Sequence, residues 1–470
     1  MPETYKNLQV AVVGMGRSNQ ALCRYLLREG ALLTCFDRKT RGQLGDIYEE
    51  FSEQGARWSL GPDYLACLPG YEHIFLTPGM KKHDPQITEA RRKGALISTE
   101  IDLFLRRCKG VVGGITGSAG KTTTSTLAGL MLRESMPGTQ VFVGGNIGPV
   151  LIDKVDEIPE NALVILELSS FQLQLCRRSP HYALLLNIRP NHLDIHKDFE
   201  EYVESKKNIF RFQSKEDWVF LNYDEEATRV VAPECPGNVG FFSLCRPKAG
   251  MLKQKQRRLA WLDGDGLVYN PGNGEEPYVV ARRQDFSIPG NHNISNALGA
   301  ILLSLQLGAN PCGIKKAITS FHGIEHRIEY VREIHGVKFY NDSIATSPDR
   351  AIALIDSIEG PLVLILGGYD KGLPFDELAG KFVERRCKAV LIGVCAGKIR
   401  ESIENAWATA GLPGEPDIID AAGLEEAVNV ARTMAGPGVS VALSPACASY
   451  DMFSSFEERG RLFKQIVKAL

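Results

Sequence analysis

No charge of one sign dominates this chain: 54 Lys and Arg stand against 56 Asp and Glu, a formal charge of -2 over 470 residues. The basic footprint of a nucleic-acid or anionic-lipid binder is therefore missing, and small molecules become the expected substrates. None of the 11 cysteines forms a C-x-x-C pair, and an odd count in a chain this long argues against a secreted disulfide framework. The N-terminus, MPETYKNLQ, has no basic region followed by an apolar core. Long hydrophobic runs are lacking too. PLVLIL at 361–366 and ALLLNI at 183–188 are strand-length, far short of the roughly twenty residues that span a bilayer. The expectation is a cytoplasmic protein, a monomer, with no nucleic-acid or membrane partner.

What is present is length and an α/β rhythm. The chain is too long for one core, and a prior of one domain per roughly 100–200 residues predicts about three. The first hundred residues alternate short β-branched runs with helical patterns: LQVAVVGMG, a helix from Asn19 to about Glu29, ALLTCFD, a second helix, then HIFLTPG. A second series runs through GVVGGITGSAGKTTT, ALVILELSS and YALLLNIRP into a Gly- and Pro-rich stretch around 232–285 with hairpin-like pieces. A third contains VKFYNDS, PLVLILGG, CKAVLIGV and VSVALSPA. Boundaries near 108 and 325 predict three α/β domains. These are a Rossmann-like domain over 1–108, a central P-loop ATPase-type domain over 109–325, and a second Rossmann-like domain over 326–470.

The most informative segment is Gly117, Ser118, Ala119, Gly120, Lys121, Thr122 and Thr123, lying between an apolar strand and a helix. Backbone N–H groups and a helix N-terminus, with about half a positive charge, suit a phosphate there. Lys121 would neutralise the β- and γ-phosphates of ATP, and the Thr122 hydroxyl would ligate Mg²⁺. The spacing is a variant of the common phosphate loop, since Ile115 stands six residues before Lys121 and the flanking glycine is Gly114. Gly14 and Gly16, with Asp37 ending the next strand, also look like a dinucleotide fingerprint, but Asn19 occupies the third glycine position. That turn reads either as a nucleotide-diphosphate pocket or as a purely structural bend.

Thr116–Thr122 resembles the T-G-[ST]-x-G-K-[ST] loop of the Mur ligases. Further segments agree in order and spacing: Gly145–Gly148, Glu167–Gln172, His192-Leu-Asp, Gly290–Asn293 with Asn296, His326-Arg327, and the run Ser444–Gly460. The resemblance covers essentially the whole chain. Within the family, Glu167–Gln172 and Ser444–Gly460 look like the branch that adds D-glutamate to UDP-N-acetylmuramoyl-L-alanine. It implies an ATP- and Mg²⁺-dependent ligase of peptidoglycan precursor synthesis, in which a carboxylate is phosphorylated and an amine then attacks the acyl phosphate.

The same resemblance assigns roles. Lys121, Glu167, His192, Lys206 and Lys371 would be catalytic, with Thr122, Glu167, His192 and a carbamylated Lys206 as metal ligands. Read by themselves, His192 could be a loop or capping residue, and Lys206 with Lys207 an ordinary solvated helix face. His196 is read as a surface residue. Glu167 ends the buried-looking strand VILEL, where a carboxylate needs a cation. Asn293, Arg327 and Asp342 would contact ATP at the base, phosphates and ribose. Ser18, Asp37, Arg38, Thr77, Gly79, Asn146, Ser169 and Gln172 would line the UDP-sugar path. Thr346, Lys371, Ser449 and Phe456 would receive the acceptor.

The chain also departs from the family pattern, at Arg189, where a Thr is common, and at positions that bear on the metal loop and the acceptor. Ile344 stands where the family's N-D-S-K-A-T motif has a lysine, Asn191 where an Asp commonly precedes the histidine, and Tyr369-Asp370 precedes Lys371. Another acceptor such as L-glutamate therefore competes within the family. The meso-diaminopimelate branch lacks support because D-N-P-R is absent, and folylpolyglutamate synthetase lacks the first domain. Outside the family, a nicotinamide-dependent dehydrogenase does not explain Lys121, Glu167 and His192 together, and a non-catalytic nucleotide-binding regulator would bind ATP without turnover.

Overall fold

A computed structural model describes residues 2–146, 148–189, 196–252, 257–288 and 290–470. The chain divides into two compact units, 1–321 and 322–470.

The first unit holds two sheets. Strands Gln9–Val13, Leu32–Asp37, Arg57–Leu60, His73–Leu76 and Leu96–Ser98 form an all-parallel sheet whose first strand sits at its centre, between Leu32–Asp37 and His73–Leu76. The helix expected from Asn19 begins earlier and spans Arg17–Arg28, with Asn19, Leu22 and Leu26 on its buried face. The second sheet is nine-stranded. Val111–Thr116 lies in it between Leu163–Glu167 and Tyr182–Leu185. All five residues of Leu163–Glu167 are buried, which explains the near-continuous apolar run of a parallel strand covered on both faces.

The Gly- and Pro-rich stretch is more regular than its composition predicts. Trp218–Asn222, Asn238–Ser243 and Leu259–Asp263 extend the same sheet in parallel, and Gly266–Asn270 and Tyr278–Arg282 finish it through antiparallel pairings. The hairpin-like pieces expected in it are the antiparallel pairs Leu259–Asp263 with Gly266–Asn270 and Gly266–Asn270 with Tyr278–Arg282, set apart by closely spaced turn residues.

The second unit contains a six-stranded sheet. Glu329–Ile334 and Val337–Asn341 form an antiparallel hairpin, and Ser440–Leu443, Leu362–Gly367, Lys388–Ile392 and Ile418–Asp420 continue in parallel. Three α/β domains thus share two compact units. No helix among the described residues is long and apolar enough to cross a membrane.

Candidate functional site

The phosphate loop leaves the sheet after Thr116 and enters the helix Lys121–Ser135. Gly120 sits in the left-handed region at φ +83°, and a Cβ there would collide with the Asn296 carboxamide, so both backbone angle and space demand glycine. Asn187 shapes the turn: its carbonyl accepts from the Ser118 amide at 3.0 Å and its Oδ1 from the Ala119 amide at 2.8 Å. The Ser118 hydroxyl meets the Tyr202 hydroxyl at 2.8 Å. Thr122 and Thr123 lie in the first helical turn, where N–H groups lack intrahelical acceptors and the helix dipole favours an anion.

Two ammonium groups converge on this loop. Lys121 Nζ and Lys206 Nζ each donate to the Gly117 carbonyl at 2.9 Å. Lys206 belongs to the helix Phe199–Lys207, which Asp198 caps by accepting the Glu201 amide at 2.8 Å. Its side chain is 1% exposed and lies 4.6 Å from the centre of the Tyr202 ring, one turn back. Among the described residues no carboxylate pairs with it. Burial first, and the Lys121 charge second, push Lys206 well below the ordinary lysine range. A solvated helix face is thereby rejected for Lys206, while Lys207, half-buried, pairs with Glu204 and Glu234.

Glu167 is equally enclosed. Its Oε1 accepts from Asn146 Nδ2 at 2.9 Å, and its Oε2, also buried, has no hydrogen-bond partner among the described residues. Such an oxygen aimed into a sealed space is costly unless a cation or donor meets it. His192 lies outside the described residues. His196 corrects its surface reading: it is 3% exposed, stacked on Phe171 at 4.9 Å, edge-on to Tyr202 at 5.3 Å, and bonded to Ser170 Oγ at 2.9 Å. A flat ring with polar edges fits between two aromatics and a hydroxyl, and single-sequence periodicity carries no sign of that.

In the first sheet, Asp37 closes the glycine turn. Its two oxygens accept from the Met15 and Lys39 amides at 2.8 and 2.9 Å. Asn19 occupies the missing-glycine position by donating to the Val13 and Gly14 carbonyls at 2.9 and 2.8 Å. Gly14, at φ +82°, packs against Thr77. The loop carrying Thr77 and Gly79 wraps the buried ammonium of Lys82, which donates to the Thr77, Pro78 and Met80 carbonyls. Ser18 is half-buried and Arg38 exposed. Ser169 and Gln172 bond each other as a capping box, so their spacing has a local structural cause.

The second unit gathers the remaining candidates around two loops. Asp342 is buried, accepts from the Ile328 amide at 3.1 Å and Ser444 Oγ at 2.8 Å, and is pushed up to about 7 by burial. His326 and Ile328, on either side of Arg327, both have positive φ, 65° and 46°. That is a costly conformation for a β-branched residue. Lys371 Nζ donates to the Thr346 carbonyl at 3.2 Å. Asp370 is tied to Lys398 instead of to this turn. Arg459, fully buried, gives Nε to Ser343 Oγ and its terminal nitrogens to the Ser343, Cys447 and Ala448 carbonyls. Ser343 in turn donates to the Phe456 carbonyl at 2.7 Å. One guanidinium thus braces the segments carrying Thr346, Ser449 and Phe456.

Family models match along the chain: a Mur ligase MurD-like N-terminal domain over residues 8–99, a Mur ligase middle domain over 115–304, and a Mur ligase glutamate ligase domain over 326–447. The chain belongs to the Mur ligase family. It is 46% identical to the UDP-N-acetylmuramoylalanine–D-glutamate ligase of Symbiobacterium thermophilum over 98% of both chains. It is 44% identical to the enzyme of that name from Acetivibrio thermocellus, covering 99% of this chain and 97% of the relative. Solved structures share the fold at lower identity. The UDP-N-acetylmuramate-alanine ligase of Thermotoga maritima superposes with a TM-score of 0.53 at 17% identity, covering 98% of this chain and all of that one. The MurF ligase of the same organism, in complex with ADP, does so with a TM-score of 0.52 at 16% identity, covering 100% of this chain and 97% of that one.

As a Mur ligase, the chain brings Gly117, Lys121 and Lys206 together directly, and Asn146 with Glu167. Asn293 lies in the first turn of the helix Asn291–Gln306, three residues before the Asn296 that touches Gly120. Sequence reasoning missed Asn187, Tyr202, Lys82 and Arg459. Of these only Tyr202, four residues before Lys206, had a spacing that could have pointed to contact.

Proposed function

We propose that this Mur ligase joins D-glutamate to the alanyl carboxylate of UDP-N-acetylmuramoyl-L-alanine, using ATP, in peptidoglycan precursor synthesis. The observation that carries the reading is the 46% identity, over 98% of both chains, to a ligase bearing the name of that reaction. The carboxylate oxygen attacks the γ-phosphorus, ADP leaves, and the amine of the acceptor then attacks the acyl carbon. Phosphate departs and the amine loses a proton. A carboxylate is a poor electrophile at neutral pH and an acyl phosphate is a good one, so positioning and charge neutralisation supply most of the catalysis.

In this reading Lys121 and the helix N-terminus behind Gly120 hold the phosphates. Lys206, whose amine is driven toward neutrality by burial, adds to CO₂, loses a proton, and becomes an anionic carbamate. That addition places an anionic oxygen donor where an amine stood beside Lys121. Thr122, Glu167, the carbamate and His192 would hold Mg²⁺, and the unpartnered Glu167 Oε2 fits such a role. Bound there, the ion would neutralise phosphate charge. Asn293, Arg327 and Asp342 are assigned to the nucleotide's base, phosphates and ribose. Ser18, Asp37, Arg38, Thr77, Gly79, Asn146, Ser169 and Gln172 are assigned to the UDP-sugar. Thr346, Lys371, Ser449 and Phe456 are assigned to the acceptor. The domain roles follow: UDP-substrate in 1–108, ATP in 109–325, acceptor and further nucleotide contacts in 326–470. Nucleotide substrates make the cytoplasm the place of action, and one chain carries every assigned residue, so a monomer suffices.

The test is phosphate release from ATP with UDP-N-acetylmuramoyl-L-alanine and Mg²⁺, with D-glutamate, L-glutamate and the other amino acids run in parallel. Release confined to D-glutamate is the expected result. Release with a different acceptor would overturn the specificity, and silence with every acceptor would overturn the ligase reading.

A further inference from the structure

The family's lysine at the acceptor turn is replaced here by Ile344, yet the turn is not left with a single cation. Residues 344–346 form a tight bend in which the Ile344 carbonyl accepts from the Thr346 amide at 2.8 Å. The same carbonyl accepts from an Arg350 terminal nitrogen at 3.2 Å, while the Thr346 carbonyl accepts from Lys371 Nζ at 3.2 Å. Arg350 comes from the first turn of the helix Pro348–Ser357 and folds back over the turn. Both Arg350 and Lys371 are exposed, and among the described residues neither forms a salt bridge, although the Arg350 charge acts at a distance on the buried Asp342 carboxyl. Their neighbours differ: Lys398 is paired with Asp370, and Lys381 with Asp356 and Glu384.

We propose that Arg350 is the second cation of the acceptor pocket, supplying from position 350 the charge that Ile344 no longer supplies from position 344. Two cations without a salt-bridge partner, on the Ile344 and Thr346 carbonyls of one short turn, are matched to an amino acid with two carboxylates. The guanidinium retains donors beyond the one spent on Ile344, in a planar fork suited to a carboxylate. Ile344 itself then acts as an apolar wall under the acceptor's methylene groups. The inference rests on the acceptor assignment given above.

The experiment compares the wild-type chain with Arg350→Met, Ile344→Lys and the double variant, measuring KM for D-glutamate, ATP and UDP-N-acetylmuramoyl-L-alanine. Arg350→Met is expected to raise the KM for D-glutamate by about ten- to a hundredfold, the range of a charge-assisted contact, with the other two KM values and the melting temperature unchanged. Adding Ile344→Lys to that variant is expected to recover most of the loss, which a merely structural arginine would not allow. An unchanged D-glutamate KM in Arg350→Met overturns the proposal. So does an equal rise in the KM for ATP, which would place Arg350 with Asp342 in nucleotide binding, and so does a double variant no better than the single one. If the wild-type chain itself fails to use D-glutamate, the acceptor assignment falls and this inference with it. Normal wild-type use with an indifferent Arg350→Met defeats the inference alone.

Discussion

Lys206 in the first unit and Arg459 in the second are both sealed from water, and neither forms a salt bridge with a carboxylate among the described residues. Their surroundings are nevertheless opposite. Arg459 spends its guanidinium on four hydrogen bonds, three of them to carbonyls, and its ionisation falls only to about 10 under burial. It stays charged because its fork is satisfied and its intrinsic basicity is high. Lys206 has one short bond, to a carbonyl that Lys121 also uses, and a long one of 3.5 Å to Thr116 Oγ1. A buried cation held this poorly is not a brace. The difference separates a residue that organises a pocket from one whose amine is available for chemistry.

Replacing the two residues should widen that contrast. Lys206→Met is expected to lower turnover by about 10²–10³-fold, the usual size of losing one charge-stabilising group. A short-chain carboxylate that can occupy the carbamate's position should restore part of it. A carbamate carbon signal in the ¹³CO₂-equilibrated wild-type protein, absent from the variant, is the direct check. Full activity in Lys206→Met would remove the carbamate from the mechanism. Stability should move the other way, because deleting an uncompensated buried amine leaves the urea midpoint unchanged or higher.

Arg459→Met should do the reverse. Four hydrogen bonds would be lost; the Ala448 carbonyl keeps the Tyr369 amide and the Ser343 hydroxyl keeps the Phe456 carbonyl, but the Ser343 and Cys447 carbonyls lose their Arg459 donors, a loss of about 3 kcal/mol given the typical cost of unmade buried bonds. Chemical denaturation reads this as a lower midpoint for the second unit. Formation of acyl phosphate, trapped with hydroxylamine, should survive better than transfer to D-glutamate, since the braced segments carry Thr346, Ser449 and Phe456. Equal loss of both steps would demote Arg459 to a general fold residue.

The sequence exposed one side of this contrast more than the other. Gly117–Thr123 was legible because glycines, lysine and threonine between a strand and a helix have a chemical reason for their order. The α/β class was legible because alternating runs must pack in layers. Lys206 was readable only by resemblance, since nothing in Glu-Ser-Lys-Lys tells a buried lysine from the ion-paired one beside it. Arg459 sits in Phe-Glu-Glu-Arg-Gly, which reads as a charged helix start. His196 was misread for the same reason: burial of a polar side chain is decided by partners such as Phe171 and Ser170, which are distant in sequence. The strands at 218–243 were obscured by Gly and Pro nearby, although they continue the central sheet.

Lys82 lies between the two extremes and gives the finest test. It is 4% exposed, and three carbonyls receive its ammonium, yet burial pulls it down to about 8, with Glu201 opposing the shift. The unfolded chain holds a lysine proton up to about 10.4, so between about pH 8 and 10.4 the unfolded state binds more protons than the folded one. Stability linked to Lys82 therefore rises with pH across that window, and below it the folded state carries the cost of a buried ammonium. The expected gain is about 3 kcal/mol, and Lys82→Met should abolish it, flattening the midpoint-against-pH curve above pH 8. A slope that persists in the variant would assign the effect to other groups and would place Lys82 with Arg459, as a cation whose carbonyl partners compensate its burial in full.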